Sequence, residues 1–218
     1  MTVELEANDL LNIHEFVRQQ FNVPAGANFS LVDSIVNRPS QGYHGMAPFP
    51  NIWLKAASIM ESIIRWHPFT DGNKRTALAA ISVYLEVNGY YLMLPYSAVR
   101  FSVEIARIRA TDSDTNRKLL YRIAKWIQTH SARKGTTAFN WKFFLYLEFP
   151  ANFCVLLYRL RLGSILYKLL SYWLAFDVYP EYQENFKETM QFMTDIMKAG
   201  AGASRPTWWV RRRSVDRS

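Results

Sequence analysis

Residues 67–75 read His67-Pro68-Phe69-Thr70-Asp71-Gly72-Asn73-Lys74-Arg75. The stretch lies between two apolar segments with helical spacing, which predicts a helix–loop–helix junction. Its second half should form the first turn of the second helix, where free N–H groups and a positive partial charge favour an anion. Gly72 would allow close approach of the backbone, and Lys74 and Arg75 would add full charges. The stretch therefore predicts a phosphate-binding loop.

Other side chains of this loop suggest which chemistry it could perform. An imidazole titrates near neutral pH, so His67 could remove a proton from an attacking hydroxyl. Asp71 could hold Mg²⁺, which prefers a carboxylate together with substrate phosphates. Asn73, Lys74 and Arg75 would stabilise charge on the transferred group. Each residue alone has an ordinary explanation in a turn or on a solvated face, but the combination favours attack of a hydroxyl on phosphorus.

The stretch resembles the signature of the Fic/Doc family. In the adenylyl-transferring Fic branch this signature is His-x-Phe-x-Asp/Glu-Gly-Asn-Gly-Arg-x-x-Arg. Lys74 stands where that branch has its second glycine, and Leu78 stands where it has its second arginine. The run from Asn73 to Leu78 is instead similar to the Doc (death-on-curing) branch. The resemblance extends over roughly residues 8–128.

The resemblance implies a mainly α fold, a Fic/Doc-like helical bundle with a small β-hairpin flap, here followed by a helical C-terminal extension. It also implies Mg²⁺ and ATP, His67 as the base, and a Ser or Thr hydroxyl supplied by a target protein. The replacements at Lys74 and Leu78 favour a Doc-like transfer of the γ-phosphate. A Fic-like transfer of AMP stays open, as does a binding module without catalysis.

Residues 33–45 have the position and composition of the family's flap, the hairpin that lies beside the target segment. Their turn-forming residues and polar edge suit pairing with an extended peptide. The residues predicted to dock the target are Arg38, Pro39, Ser40, Gln41, Gly42 and His44. An ordinary surface loop between two helices is the alternative.

Inhibition is a further point on which the resemblance bears. Many family members are held inactive by a glutamate in a Ser/Thr-x-x-x-Glu-Gly/Asn helix that pairs with the motif arginine. Ser82 and Glu86 have that spacing, but Val87 follows them, and they lie on the helix next to the motif. The resemblance therefore implies a separate antitoxin-like inhibitor, as in a toxin–antitoxin pair, with the C-terminal region as the alternative.

Helical periodicity extends on both sides of the loop. The first predicted helix could be capped by Asn8 or Asp9, and its recurring residues are Leu10, Leu11, Ile13, His14, Val17 and Phe21. His14 is predicted to be a packed histidine. The second predicted helix covers residues 51–66, with core candidates Leu54, Ala57, Ile59, Ile63 and Ile64. The helix after the motif should end at Asn88-Gly89.

The composition of the chain limits which classes of protein it could belong to. Half of the 218 residues are apolar, the formal net charge is +8, and the single cysteine is Cys154. This charge fits acidic partners of any kind. One cysteine in an apolar run fits a reducing interior. The acidic N-terminal residues show no signal peptide, so the cytoplasm is predicted, and no His/Cys/Glu cluster has zinc spacing.

The predicted organisation is a catalytic domain at 1–133, a linker at 134–138, an aromatic-rich helical extension at 139–203 and a basic tail at 204–218. The extension could pack on the first domain or on a second copy, or it could lie in a membrane interface. The tail has five arginines against one aspartate and could bind anionic lipid or nucleic acid. A disordered tail is the alternative. His130 is predicted to be solvated.

Overall fold

The fold of the computed structural model is mainly α, as predicted. The structure describes residues 2–41, 49–109, 112–133 and 135–175, together with 178 and 183. In chain order the elements are α1 (Ala7–Phe21), α2 (Phe29–Asn37), α3 (Ile52–Trp66), α4 (Asn73–Val87), β1 (Tyr90–Leu92), α5 (Ser97–Arg107), α6 (Ser113–Thr129), β2 (Ser131–Arg133), α7 (Thr137–Phe143), a π-helical turn (Phe144–Glu148), α8 (Phe149–Arg159) and α9 (Gly163–Trp173).

Helices α3 and α4 form the centre of the bundle. Helices α2, α4, α5 and α6 pack against α3, while α1, α3 and α5 pack against α4. A helix that is apolar on nearly all sides is stable only when it is enclosed in this way. The core residues predicted for the second helix are all buried, namely Leu54, Ala57, Ile59, Ile63 and Ile64. The two helices that flank the motif are thus the most enclosed elements of the fold.

The start of α1 differs from the prediction. Helix α1 begins at Ala7, so its N-cap is Glu6 and neither of the predicted residues, Asn8 or Asp9. Asp9 still takes part in the cap, because its carboxylate accepts a hydrogen bond from the Glu6 backbone N–H at 2.8 Å. This reciprocal capping box starts the helix at Ala7, three residues before Leu10, the first residue of the apolar pattern. The predicted packing of His14 is confirmed, since it is buried on α1.

A two-stranded antiparallel sheet follows α4. The helix stops at Asn88, and Gly89 takes a left-handed φ of +84°, in agreement with the predicted Asn-Gly stop. Strand β1 then pairs with β2, with Tyr91 opposite Ala132. This pairing brings the end of α6 beside the end of α4, at the side of the bundle away from the motif.

The C-terminal extension begins earlier than predicted. Helix α7 starts at Thr137, inside the predicted linker, because the Thr136 hydroxyl caps it by accepting from the Phe139 N–H at 3.1 Å. The extension contacts the bundle near both of its ends. The Phe139 ring packs on Tyr91 at 5.5 Å, and the Trp173 ring packs on Tyr96 at 5.9 Å.

The predicted solvation of His130 is wrong. Its ring lies between Trp126, at 4.5 Å, and Tyr146 of the π-helical turn, at 4.4 Å. Burial lowers the pKa of His130 below its ordinary value, and the charge of Lys142 acts in the same direction. His130 therefore belongs to the junction between the bundle and the extension.

Beyond residue 175, the predicted helical extension and the basic tail at 204–218 lie outside the described residues, apart from residues 178 and 183. Within the described part of the chain, no helix has both the length and the apolar character needed to cross a membrane.

Candidate functional site

The motif loop, residues 67–72, joins the end of α3 to the start of α4, as the sequence predicts. His67 follows Trp66 and adopts a left-handed backbone with φ 50° and ψ 60°. For a residue other than glycine this conformation costs roughly 1–3 kcal/mol. The surrounding structure must therefore hold His67 in place. Gly72 precedes α4 with φ 76°, which glycine adopts freely. Both ends of the loop are therefore defined turns.

One edge of the motif loop is hydrogen-bonded to the segment that precedes α2. The Asn28 N–H donates to the Pro68 carbonyl at 2.7 Å, and the Thr70 N–H donates to the Gly26 carbonyl at 3.1 Å. A Cβ atom at position 26 would lie 2.1 Å from the Thr70 Oγ1, so this close approach requires glycine. The loop is thus held by a short antiparallel bridge that the sequence analysis did not predict.

Asn73 closes the loop from within. Its Oδ1 accepts a hydrogen bond from the Phe69 N–H at 3.0 Å, and its Nδ2 donates to the Phe69 carbonyl at 2.7 Å. The side chain is buried. The sequence analysis assigned Asn73 to charge stabilisation, whereas the structure places its amide on the loop backbone. The contact fixes the curvature of the loop over the first turn of α4.

Helix α1 packs against the motif loop through His14. The His14 ring is stacked on Phe69 with centroids 3.8 Å apart and an interplanar angle of 9°. Its Nδ1 lies 3.1 Å from the hydroxyl oxygen of Thr76 on α4. Burial lowers the pKa of His14 below its ordinary value, although the neighbouring Glu15 acts in the opposite direction. His14 therefore connects α1 to both the motif loop and α4.

The polar groups of the predicted site gather around this loop. His67 and Asp71 are exposed, and Lys74 and Arg75 are half-buried on the first turn of α4. The Gly72 N–H donates to Asp71 Oδ1 at 2.5 Å, which orients the carboxylate at the helix N-terminus. His67 and Asp71 thus lie on the motif loop, and Lys74 and Arg75 lie on the helical turn that follows it.

The donor set fits Mg²⁺ better than a metal that needs several protein ligands. Among the described residues there is no group of three or more His, Cys, Asp or Glu side chains that could hold a metal ion. Mg²⁺ is commonly bound through one or two carboxylates and substrate phosphates. One exposed carboxylate, that of Asp71, meets this requirement only when a nucleotide supplies the other ligands.

Arg75 has an aromatic support that the sequence analysis missed. Its guanidinium carbon lies 3.9 Å from the centroid of the Phe21 ring, at the end of α1. Phe21 and His14 are seven residues apart, two turns of one helix face. That spacing, together with an aromatic at each position, is the signal that could have identified α1 as the support of the site.

The flap is only partly described. Residues 33–37, which the sequence analysis placed in the hairpin, form the second half of α2, so the non-helical turn begins only at Arg38. The helix forms because Asn28 caps it, with its Oδ1 accepting from the Leu31 N–H at 3.1 Å, and because its apolar residues face the core. Ser40 continues the turn, with its N–H on the Asn37 carbonyl at 3.1 Å. Gly42 and His44 lie outside the described residues.

Arg38 lies against α3. Its guanidinium donates to the Glu61 carboxylate and to the Ser62 hydroxyl. It also lies 5.1 Å from the Trp66 ring and 5.8 Å from the Phe49 ring. Arg38 therefore anchors the start of the flap segment beside the end of α3, next to His67.

Comparison with known proteins agrees with the motif. A sequence profile of the Fic/DOC family matches residues 4–85. The chain is 34% identical over 87 residues to the Toxin Doc of Mycolicibacterium smegmatis, a match that covers 40% of this chain and 67% of the relative. No solved structure matches significantly. The residues matched by the profile contain α1 to α3, the whole motif loop and most of α4, while the extension lies outside them.

Proposed function

Because the chain belongs to the Fic/Doc family, whose members are generally transferases, we propose that it transfers the γ-phosphate of ATP to a Ser or Thr hydroxyl of a target protein. The observation that supports this most strongly is the arrangement of the motif loop. The exposed imidazole of His67 and the exposed carboxylate of Asp71 lie on this loop, and Lys74 and Arg75 follow on the first turn of α4. Phosphoryl transfer depends mainly on such positioning and electrostatic stabilisation.

Each polar residue of the motif loop and of the first turn of α4 would have a separate role in the transfer. His67 accepts the proton of the attacking hydroxyl. Asp71 holds Mg²⁺, which supplies charge neutralisation to the phosphates when bound. The first turn of α4 presents its positive end to the same phosphates, and Lys74 and Arg75 stabilise the charge of the transferred group. Gly72 provides the left-handed turn before α4, and a Cβ atom at this position would lie 3.3 Å from the Val17 side chain.

Transfer of the γ-phosphate is favoured by two positions of the motif. Leu78 stands where the Fic branch has its second arginine, and its side chain is buried in the core. A buried leucine cannot contact a nucleotide, so the cation that helps present the α-phosphate in that branch is absent from this position. Lys74 adds a side chain where that branch has glycine. The nucleotide would therefore bind with its γ-phosphate toward the target hydroxyl.

We further propose that the protein is the toxin of a toxin–antitoxin pair and acts in the cytoplasm. The similarity to a protein named Toxin Doc supports this. Inhibition by Glu86 is disfavoured, since Glu86 is eleven residues beyond Arg75 on the same helix, a separation of about 16 Å along the axis. A separate antitoxin-like chain would serve as the inhibitor. The segment from Arg38 to His44 would lie alongside the target peptide, and the basic tail could contact anionic lipid or nucleic acid.

The test is to incubate purified protein with a host-cell lysate, Mg²⁺ and ATP labelled at either the α- or the γ-phosphate. Label on protein from the γ-phosphate alone supports the proposal. Label from the α-phosphate would show a nucleotidyltransferase and overturn the proposed orientation. A Lys74→Gly variant serves as the comparison, since it restores the glycine of the Fic branch and should weaken γ-transfer or change the product.

A further inference from the structure

A row of exposed apolar side chains runs along the extension, outside the proposed catalytic site. Helix α7, the π-helical turn and α8 follow one another without a break from residue 137 to 159. The row, here called the aromatic stripe, consists of Trp141, Phe144, Leu145, Phe149, Phe153, Leu156 and Leu160, each between 39% and 65% exposed. Single exposed apolar residues are ordinary on a protein surface, but a contiguous patch marks an interaction site.

The aromatic members of the stripe form a continuous surface. Successive ring centroids are 6.1 Å apart from Trp141 to Phe144, 6.3 Å from Phe144 to Phe149, and 6.4 Å from Phe149 to Phe153. The five-residue step from Phe144 to Phe149 matches the wider repeat of the π-helical turn. From Phe149 onward, the spacing of four and three residues keeps Phe149, Phe153 and Leu156 on one face of α8, and Leu160 follows just after the helix ends.

The charged residues near the C-terminal end of the stripe are all basic. Arg159 and Arg161 are exposed at the turn between α8 and α9, and Lys168 is exposed on α9. Residues 149–175 contain no Asp or Glu. An apolar and aromatic face bordered by cations is the pattern of a helix that lies in the headgroup region of an anionic membrane.

We propose that the aromatic stripe and this basic turn bind the surface of an anionic phospholipid bilayer. The rings would enter the boundary between headgroups and acyl chains, while Arg159 and Arg161 contact lipid phosphates. The arrangement lies on the membrane and does not span it, which agrees with the absence of a membrane-crossing helix among the described residues.

The catalytic bundle would be carried to the membrane by this element. Helix α9 joins the extension to α5, where the guanidinium carbon of Arg100 lies 4.3 Å from the Tyr172 ring centroid and Trp173 packs on Tyr96. The stripe itself remains exposed while these contacts are made. Membrane binding therefore requires no rearrangement of the contacts between the bundle and α9.

The experiment is flotation of the purified full chain with vesicles of neutral phosphatidylcholine, or of phosphatidylcholine mixed with phosphatidylglycerol. The protein should float with the anionic vesicles. Phe149→Ser combined with Phe153→Ser should lower the bound fraction roughly tenfold or more, since binding scales with the apolar area buried. Arg159→Gln combined with Arg161→Gln should weaken binding to the anionic vesicles by roughly tenfold while changing binding to neutral vesicles little.

Phe29→Ser is the matched control, because Phe29 is an exposed phenylalanine of the bundle, outside the stripe. It should float like the wild type, and circular dichroism should show all variants folded. The basic tail is present in every variant, so flotation that persists after both stripe substitutions would overturn the proposal in favour of the tail. Absence of flotation would overturn it too. So would a dimer that dissociates on stripe substitution without any lipid binding, which would instead assign the stripe to a second copy.

Discussion

The guanidinium of Arg75 lies against the face of the Phe21 ring, with its central carbon 3.9 Å from the ring centroid. Arg75 is on the first turn of α4 and Phe21 is the last residue of α1, so the contact joins the candidate site to the helix beneath it. A cation over an aromatic face is attracted by the ring's negative potential and restricted in its rotamers. The geometry makes Phe21 a positioning residue for Arg75.

Phe21→Leu should lower the kcat/KM of phosphoryl transfer while changing the free energy of unfolding only a little. It keeps most of the apolar volume but removes the aromatic face, which contributes about 1–2 kcal/mol at a partly desolvated site. The expected result is a loss of roughly five- to thirty-fold in kcat/KM. Phe21→Tyr keeps the ring face and should retain activity. The decisive comparison is made in an Arg75→Gln background, which has no cation at this position, so that Phe21→Leu should have little further effect; an equal loss in both backgrounds would contradict the positioning role.

Asn73→Ala should unfold the motif loop locally even when no nucleotide is present. The substitution removes both hydrogen bonds to the Phe69 backbone and leaves a buried donor and acceptor without partners. The expected loss in the free energy of unfolding is about 2–4 kcal/mol, measured by urea denaturation of the nucleotide-free protein. If stability is unchanged and only activity falls, Asn73 contacts the nucleotide and the loop-closing role is wrong.

Gly26→Ala tests the bridge between the loop and the segment before α2. The new Cβ would meet the Thr70 Oγ1 at 2.1 Å, so Thr70 or the loop must move, and stability should fall by roughly 1–3 kcal/mol. Thr70→Ala removes the nearest colliding atom. Gly26→Ala should therefore cost less in the Thr70→Ala background, as thermal unfolding can show. Additive costs of the two substitutions would argue against a steric conflict between them.

Glu61→Gln should destabilise the fold strongly. The Glu61 side chain is 1% exposed and its carboxylate binds both Arg38 and Arg65. Neutralising it leaves two largely enclosed cations near each other, and the expected cost is about 3 kcal/mol. Glu104→Gln is the matched control, because Glu104 pairs with Arg122 on the surface and such pairs contribute only about 0–1 kcal/mol. A loss for Glu61→Gln no larger than about 1 kcal/mol would show that the buried network contributes no more than a surface ion pair.

Stability should fall as the pH drops below about 6.5, partly because of His130. Burial lowers the pKa of His130 in the folded chain from its ordinary value of 6.5. Between those two values the unfolded chain binds a proton that the folded chain does not, so acidification favours unfolding. His130→Gln should make the free energy of unfolding less dependent on pH over this range. His14 has a lowered pKa as well, so part of the dependence should remain, and an unchanged profile would refute the assignment to His130.

The parts of the fold that could be predicted from the sequence are those with strong local signals. The motif loop, the helix ends at Trp66 and Asn88, and the buried face of α3 follow from turn residues and apolar periodicity within short windows. Residues 33–37 were misplaced because the turn formers that follow them outweighed the apolar spacing of α2.

The contacts that were missed join residues that are far apart in the chain. His14 and Thr76 are separated by 62 positions, and no local pattern links them. The same applies to the pairing of Thr70 with Gly26 and to the support of Arg75 by Phe21. The reactive residues of the site were therefore accessible to sequence reasoning, while the residues that hold them in position required the fold.

The most direct test of the central claim compares γ-phosphate transfer by the wild-type protein and by His67→Ala in the same target-containing lysate. His67 is exposed at the end of α3, so its replacement should leave the unfolding transition nearly unchanged. His67→Ala should transfer label from the γ-phosphate at least about 100-fold more slowly, as expected for loss of a general base. A folded His67→Ala protein that transfers the γ-phosphate at the wild-type rate would exclude His67 as the base.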